Sequence, residues 1–259
     1  MHPGENTGSD DRDDEIDFGF RRVDPAAHTA MVRGVFDSVA RRYDLMNDLM
    51  SGGLHRLWKT ALLDRVNPRP GMRLVDVAGG TGDVAGGFLK RGGAANVRAT
   101  ICDINEEMLL AGRDRALDRG VADGPARVCG DAAALPFADR CADACTVAFG
   151  LRNVTRRRNA LSEMRRILEP GGHFLCLEFS PAVLPSLKPI YDAYSFRVLP
   201  WLGRRVAGDA DSYEYLAESI RRFPEPGALS DEMREAGFGN VTQTPLSGGI
   251  VWLHSGWRI

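Results

Sequence analysis

A run of glycines between two acids, followed by two further acids at regular distances, could do chemistry. The run is Asp76-Val77-Ala78-Gly79-Gly80-Thr81-Gly82-Asp83, and it continues the apolar stretch Arg73–Val77. A strand that turns this tightly into a helix needs residues that tolerate positive φ and let a ligand approach the backbone. Gly79, Gly80 and Gly82 supply that freedom. The amides that open the next helix then face whatever sits above the turn. Asp103 ends a second apolar stretch, and Asp131, just before Ala132, ends a third. In an open α/β sheet, ligands bind at the carboxyl ends of strands, and an acid after the second strand reaches ribose hydroxyls. Asp131 could accept a hydrogen bond from an adenine amino group. Turn and acids together read as the site of a nucleoside cofactor.

Charge separates the nucleoside cofactors. A pyrophosphate fingerprint reads Gly-x-Gly-x-x-Gly, and this turn departs from it. Asp83 puts a carboxylate at the helix start, where a pyrophosphate would be repelled, and Asp76 adds a second negative charge. S-adenosylmethionine carries a sulfonium and an ammonium, which these acids favour. The electrostatics prefer a methyl donor to NAD.

The elements that must position these residues alternate along the chain. Residues 1–17 are polar and acidic, lack an apolar signal-peptide core, and read as a disordered tail. Residues 18–70 read as an N-terminal helical cap, with helices from Pro25 to about Tyr43 and from about Leu54 to Val66, closed by Asn67-Pro68-Arg69-Pro70-Gly71. Residues 71–259 follow as a cofactor-binding domain. Its strands are placed at Arg73–Val77, Val97–Cys102, Ala126–Cys129, Ala142–Phe149 and His173–Phe179. Helices lie between them at Asp83–Lys90, Glu106–Asp118 and Arg156–Leu168. Such alternation gives an α/β fold with a parallel sheet. An apolar insertion spans about 181–206, helices cover 213–223 and 226–236, and Phe238–Thr244 and Gly249–Trp257 read as a closing hairpin. A Rossmann-like parallel sheet that ends in an antiparallel edge hairpin looks like the class I S-adenosylmethionine-dependent methyltransferase fold.

The bulk composition excludes other classes. The chain has 259 residues, 44% hydrophobic and 26% charged, as in ordinary globular proteins. A net charge of −2 argues against a dedicated nucleic-acid binder, and Arg156-Arg157-Arg158 reads as a solvated helix start. The five cysteines, Cys102, Cys129, Cys141, Cys145 and Cys176, read as buried free thiols in a reducing cytoplasm. No Cys-x-x-Cys pair is present and no metal site is expected.

Longer motifs go further. Tyr43-Asp44-Leu45-Met46-Asn47, a spacer with Ser51, then His55 and Trp58 form one; Arg166-Ile167-Leu168-Glu169-Pro170-Gly171-Gly172 with Leu177-Glu178-Phe179-Ser180 form another. Phe149-Gly150-Leu151-Arg152-Asn153-Val154, Tyr191–Phe196 and Asp209–Tyr213 add to them. In these segments the chain closely resembles the ubiquinone/menaquinone biosynthesis C-methyltransferases, from about Phe18 to the C-terminus. The resemblance implies contacts to S-adenosylmethionine from Thr81, Asp103, Asp131 and Ala132, and one at position 148. Relatives often carry serine at that last position and this chain has Ala148. Asp131 and Glu169 stand where relatives often have asparagine and lysine.

The implied reaction moves a methyl group onto a ring carbon of a lipid-tailed quinol. Removing a phenolic proton enriches that carbon, so the site needs a base or a cation beside the phenolate. Arg152 is the expected phenolate partner, with Asn153 orienting the ring and Tyr43, Asp44 and His55 approaching from the cap. His55 titrates near neutrality and is the candidate base. The insertion, with Leu184, Leu187, Tyr191, Tyr194, Val198 and Trp201, could wall a prenyl tail or, with Arg204 and Arg205, rest on a membrane. A cytoplasmic protein, peripheral to the inner face of the membrane, as a homodimer or within a quinone-biosynthesis complex, fits this reading. Two alternatives stay open: a methyltransferase of the same fold on another small-molecule acceptor, and a non-catalytic S-adenosylmethionine-binding scaffold of a quinone-synthesis assembly.

Overall fold

The computed structural model of the chain describes residues 16–39, 43–93, 95–121, 123–198, 201, 205 and 210–259. The tail reading over 1–15 and Arg204 lie outside these residues. The segment read as tail includes part of a described hairpin, in which β1 (Ile16–Phe18) pairs antiparallel with β2 (Arg21–Val23). The Phe20 amide anchors this hairpin by donating to Glu218 Oε2 at 3.0 Å.

Among its described residues the cap holds three helices rather than two: α1 (Pro25–Val39), α2 (Tyr43–Ser51) and α3 (His55–Val66). The sequence reading missed α2. It is nine residues long and polar along much of its length, so its apolar period is short. Asn67 ends α3 in the left-handed region, φ 51°, with its amide on the Leu63 carbonyl.

Seven strands form the main sheet: β3 (Arg73–Val77), β4 (Arg98–Asp103), β5 (Ala126–Cys129), β6 (Ala142–Ala148), β7 (Leu168–Phe179), β8 (Gly239–Leu246) and β9 (Val251–Trp257). Their order is β5-β4-β3-β6-β7-β9-β8; β9 runs antiparallel to both neighbours and the other pairs are parallel. The strand period of two sorts side chains onto two faces. Leu74, Ile101, Ala144 and Leu175 pack with α2, α3 and α4 (Asp83–Gly92). Val75, Cys102, Cys145 and Cys176 pack with α6 (Arg157–Ile167) and, near the hairpin, with α8 (Pro226–Glu235). Burial on both faces explains why these strands read as continuous apolar runs. β7 is longer than expected: it begins at Leu168 and bulges through Glu169–Gly172 before rejoining β6 at His173.

The thiol reading holds in part. Cys102, Cys145 and Cys176 are buried, Cys141 is half-buried, but Cys129 on the edge strand β5 is exposed. In the arginine run Arg156 and Arg158 are exposed, as a solvated helix start requires, and Arg157 is half-buried. Arg157 holds Glu232 with two hydrogen bonds, at 2.6 and 2.7 Å, and Arg158 reaches Glu235 at 3.0 Å. No helix among the described residues is long and apolar enough to cross a membrane.

Candidate active site

The sheet order reverses between β3 and β6, and the ends of those strands almost touch. A Cβ added to Gly150, just after β6, would lie 2.5 Å from the Ala78 Cβ just after β3. Ala78 and Phe149 both adopt left-handed backbone, at φ 51° and 61°. Each costs roughly 1–2 kcal/mol for a residue with a side chain, so the surroundings must enforce them. Gly79 is fixed by space: a Cβ there would sit 2.7 Å from Asp76 Oδ2. Gly82 caps α4 at φ 90°, a conformation that favours glycine.

A cavity of about 470 Å³ lies over this crevice. Of the candidate site residues named from the sequence, Gly80, Asp103, Asp131, Ala132 and Asn153 line it. Asp103 is held by the backbone. Its Oδ2 accepts from the Gly80 amide and its Oδ1 from the Asn105 amide, both at 2.8 Å. Burial raises its pKa, and these two amides oppose the rise. Ile104, Met108, Phe149 and, from α1, Val32, Arg33 and Phe36 complete the wall. Asn105 fastens α1 in place: it caps α5 (Glu106–Asp118) by accepting from the Met108 amide and donates to Asp37 Oδ1 at 2.8 Å. The sequence reading had Tyr43, Asp44 and His55 approach from the cap but missed that α1 supplies this wall.

A smaller cleft adjoins the cavity, lined by Lys59, Asp76, Ala78, Gly79, Thr81, Asp83, Val84 and Ala148. Asp76 is fully buried. Thr146 Oγ1 donates to its Oδ1 at 2.7 Å, while Oδ2 has no hydrogen-bond partner among the described residues. Burial pushes its pKa up to about 7; Thr146, Lys59 and the nearby Ala85 amide oppose the rise, and Asp103 adds to it. Lys59 of α3 donates to Asp83 Oδ2 at 2.7 Å. Burial would raise the Asp83 pKa, but the ammonium holds it below the usual carboxylate range.

Arg152 faces a different way. Its Nη1 donates to Glu178 Oε1 at 2.7 Å and to the Phe149 carbonyl at 2.6 Å, and its guanidinium sits 5.7 Å from the Phe179 ring centroid. Both partners of the ion pair are almost wholly buried. Arg152 Nε has no partner among the described residues, and the side chain lines a polar cleft beside the main cavity. Glu178 was missed as a site residue, although a lone acid within a buried strand signals a partner. The Tyr215 hydroxyl of α7 (Ala210–Arg222) donates to Asn153 Oδ1 at 3.0 Å, a contact no local pattern announces. His55 is not brought to either cavity wall. It lies buried at the start of α3, with Nδ1 3.0 Å from Ser51 Oγ and 3.6 Å from Asp48 Oδ1. Burial, then the Lys59 and Arg56 charges, lower its pKa. Tyr43 and Asp44 open α2, and their side chains lie outside the described residues.

This is the fold and site of a class I S-adenosylmethionine-dependent methyltransferase. The possible histamine N-methyltransferase of Thermotoga maritima, a solved S-adenosylmethionine-dependent methyltransferase, shares the fold at a TM-score of 0.61 and 21% identity, over 88% of this chain and all (100%) of that one. The model of the ubiE/COQ5 methyltransferase family matches residues 25–258, and the chain belongs to that family. It is 54% identical to the ubiquinone/menaquinone biosynthesis C-methyltransferase UbiE of Paracoccus denitrificans, over 96% of this chain and 99% of that protein. It is 57% identical to UbiE of Methylobacterium nodulans, over 94% and 96%.

Proposed function

We propose that this chain is the S-adenosylmethionine-dependent C-methyltransferase of ubiquinone/menaquinone biosynthesis, acting on the ring carbon of a polyprenylated benzoquinol, of demethylmenaquinol, or of both. The observation that carries the reading is one cavity walled by Gly80, Asp103 and Asp131 on the cofactor side and by Gly150 and Asn153 after β6. The high identity to relatives named for that reaction supports it.

The residues suit the cofactor. Asp103 offers ribose hydroxyls a carboxylate already fixed by two amides. Asp131 and Ala132 meet the adenine edge, Thr81 and Gly79 border the cofactor's amino-acid end, and the orphaned Asp76 Oδ2 suits its ammonium. Held by these residues, S-adenosylmethionine would supply an electrophilic methyl group.

On the acceptor side, Asn153 orients a ring hydroxyl, its own carbonyl held by Tyr215. From the adjoining polar cleft Arg152 supplies the positive charge that favours the phenolate, while Glu178 fixes the plane of its guanidinium. His55, neutral and tied to Ser51, holds the cap. The insertion exposes Leu184, Leu187, Val198 and Trp201 beside Lys188, Arg197 and Arg205, a surface suited to the inner face of a bilayer, from which a lipid-tailed quinol would come.

Labelled S-adenosylmethionine with short-chain benzoquinol and naphthoquinol acceptors, assayed side by side, tests the reading. C-methylated quinol is expected. Another methylated product identifies a different acceptor, and tight cofactor binding without turnover identifies a scaffold. Arg152→Ala should abolish turnover while S-adenosylmethionine still binds. Arg152→Lys keeps a cation for Glu178 but loses the planar fork, and should also be strongly impaired.

A further inference from the structure

We infer that Lys59, a residue of the cap, is the partner of the cofactor's α-carboxylate. The amino-acid end of S-adenosylmethionine is a zwitterion, so its site must pair an anion with the ammonium and a cation with the carboxylate. Asp76 supplies the anion: it is buried in the small cleft, and its Oδ2 has no hydrogen-bond partner among the described residues. The wall of that cleft holds one basic side chain among the described residues, Lys59.

Lys59 is built to stay there. Its side chain is mostly buried and its ammonium is 2.7 Å from Asp83 Oδ2. The same ammonium acts on Asp76 across the cleft, where it favours the carboxylate. Asp83 opens α4, so the pair bridges cap and sheet. A carboxylate entering between Thr81 and Lys59 would meet an ammonium already desolvated and oriented, with Asp83 as its second anion. A lysine suits this place because its donors swing on a flexible stem.

The consequence reaches beyond affinity. Lys59 lies on α3, and Trp58 beside it ties α3 to the main cavity through Phe149, ring centroids 6.1 Å apart, and to the hairpin through Ser247 Oγ, 2.9 Å from its indole nitrogen. A carboxylate held by Lys59 therefore links cofactor occupancy to cap placement. A cofactor lacking that carboxylate would fill the adenosine pocket without drawing on the cap.

Calorimetric titration with three ligands tests this: S-adenosylhomocysteine, its decarboxylated analogue S-adenosyl-3-thiopropylamine, and 5′-methylthioadenosine. Wild type should prefer the first to the second by roughly tenfold or more, the value of a charge-assisted hydrogen bond. In Lys59→Met that preference should collapse to within about twofold, on the same scale. 5′-Methylthioadenosine should bind the variant as it binds wild type, which also reports an intact adenosine pocket. Lys59→Arg, which keeps the charge, should restore part of the preference. A Lys59→Met protein that still prefers the carboxylated ligand overturns the assignment, as does a wild type that never discriminates. If Lys59→Met loses all three ligands, Lys59→Gln and the wild-type comparison decide in the same way.

Discussion

The two halves of the active site are held by different means. On the cofactor side, Asp103 is fixed by amides of Gly80 and Asn105, both within strand-end turns of the same sheet. On the acceptor side, Arg152 depends on Glu178, 26 residues on, and Asn153 on Tyr215, 62 residues on. Backbone donors follow from the fold and survive changes of neighbouring side chains. Side-chain pairs exist only while both partners do. The cofactor half should therefore lose binding when altered, and the acceptor half should lose stability as well as turnover.

The largest effect should come from Glu178→Leu. It strands the Arg152 guanidinium, 3% exposed, without its anion. Removing one partner of a buried pair costs about 3–5 kcal/mol, whereas replacing both by apolar residues is often neutral. Denaturant unfolding should show that loss in Glu178→Leu and most of it regained in Arg152→Leu/Glu178→Leu. A single variant as stable as wild type would erase the contrast between the halves.

Asp103→Ala comes next and acts on the other half. It removes the acceptor of two buried amides and the expected ribose partner together. At about 1.5–3 kcal/mol per charged hydrogen bond, S-adenosylhomocysteine affinity should fall by at least tenfold, and on the order of a hundredfold is reasonable. Asp103→Asn keeps one acceptor oxygen and should fall less. Calorimetry measures both, and a stability loss without a binding loss would contradict the division.

Asp76 gives a pH test on the same half. Its pKa is raised from 3.8 to about 7, so the folded protein holds a proton that the unfolded chain has released between those values. This site's contribution to the stability of the ligand-free protein therefore falls as pH rises across that window. An ammonium placed beside Oδ2 favours the anion and reverses the sign for binding. S-adenosylhomocysteine should expel a proton on binding, and its affinity should rise between roughly pH 6 and 8. Lys59 already favours the anion and Asp103 opposes it, so both shape the curve. Titrations in two buffers of different ionisation enthalpy count the proton, and Asp76→Asn should flatten the dependence.

The same division explains what the sequence made legible. The glycine turn, Asp103 and Asp131 sit where the strand period stops, and a strand end is visible in a linear pattern. The parallel strands and the edge hairpin followed from the same periods, most boundaries shifting by a residue or two, though β7 opens at Leu168 rather than His173. Glu178 lay in plain view within Leu177-Glu178-Phe179, yet its partner is set by the β6–β7 register, which periodicity does not encode. Tyr215 and α1 reach the site through helix packing and the Asn105 contacts, again invisible locally. His55 carried the right chemistry for a base, but cap geometry turned it to Ser51 and Asp48 instead.

Ala148 offers the smallest and most diagnostic change. It ends β6 and lines the small cleft with Asp76 and Thr81, at the position where the resemblance implies a serine contact to the cofactor. Its backbone pairs with Leu177 and would not move for one added oxygen. In Ala148→Ser the new hydroxyl lies on the cofactor side, so it can act only on the half already fixed by backbone. A neutral hydrogen bond contributes about 0.5–1.5 kcal/mol, so S-adenosylhomocysteine should bind roughly two- to tenfold tighter, with folding stability unchanged. Unchanged affinity would mean that the carboxylates and the turn already saturate that end of the cofactor. Weaker affinity would mean that the cleft is shaped around the missing hydroxyl, making Ala148 an adaptation of the cleft rather than a lost contact.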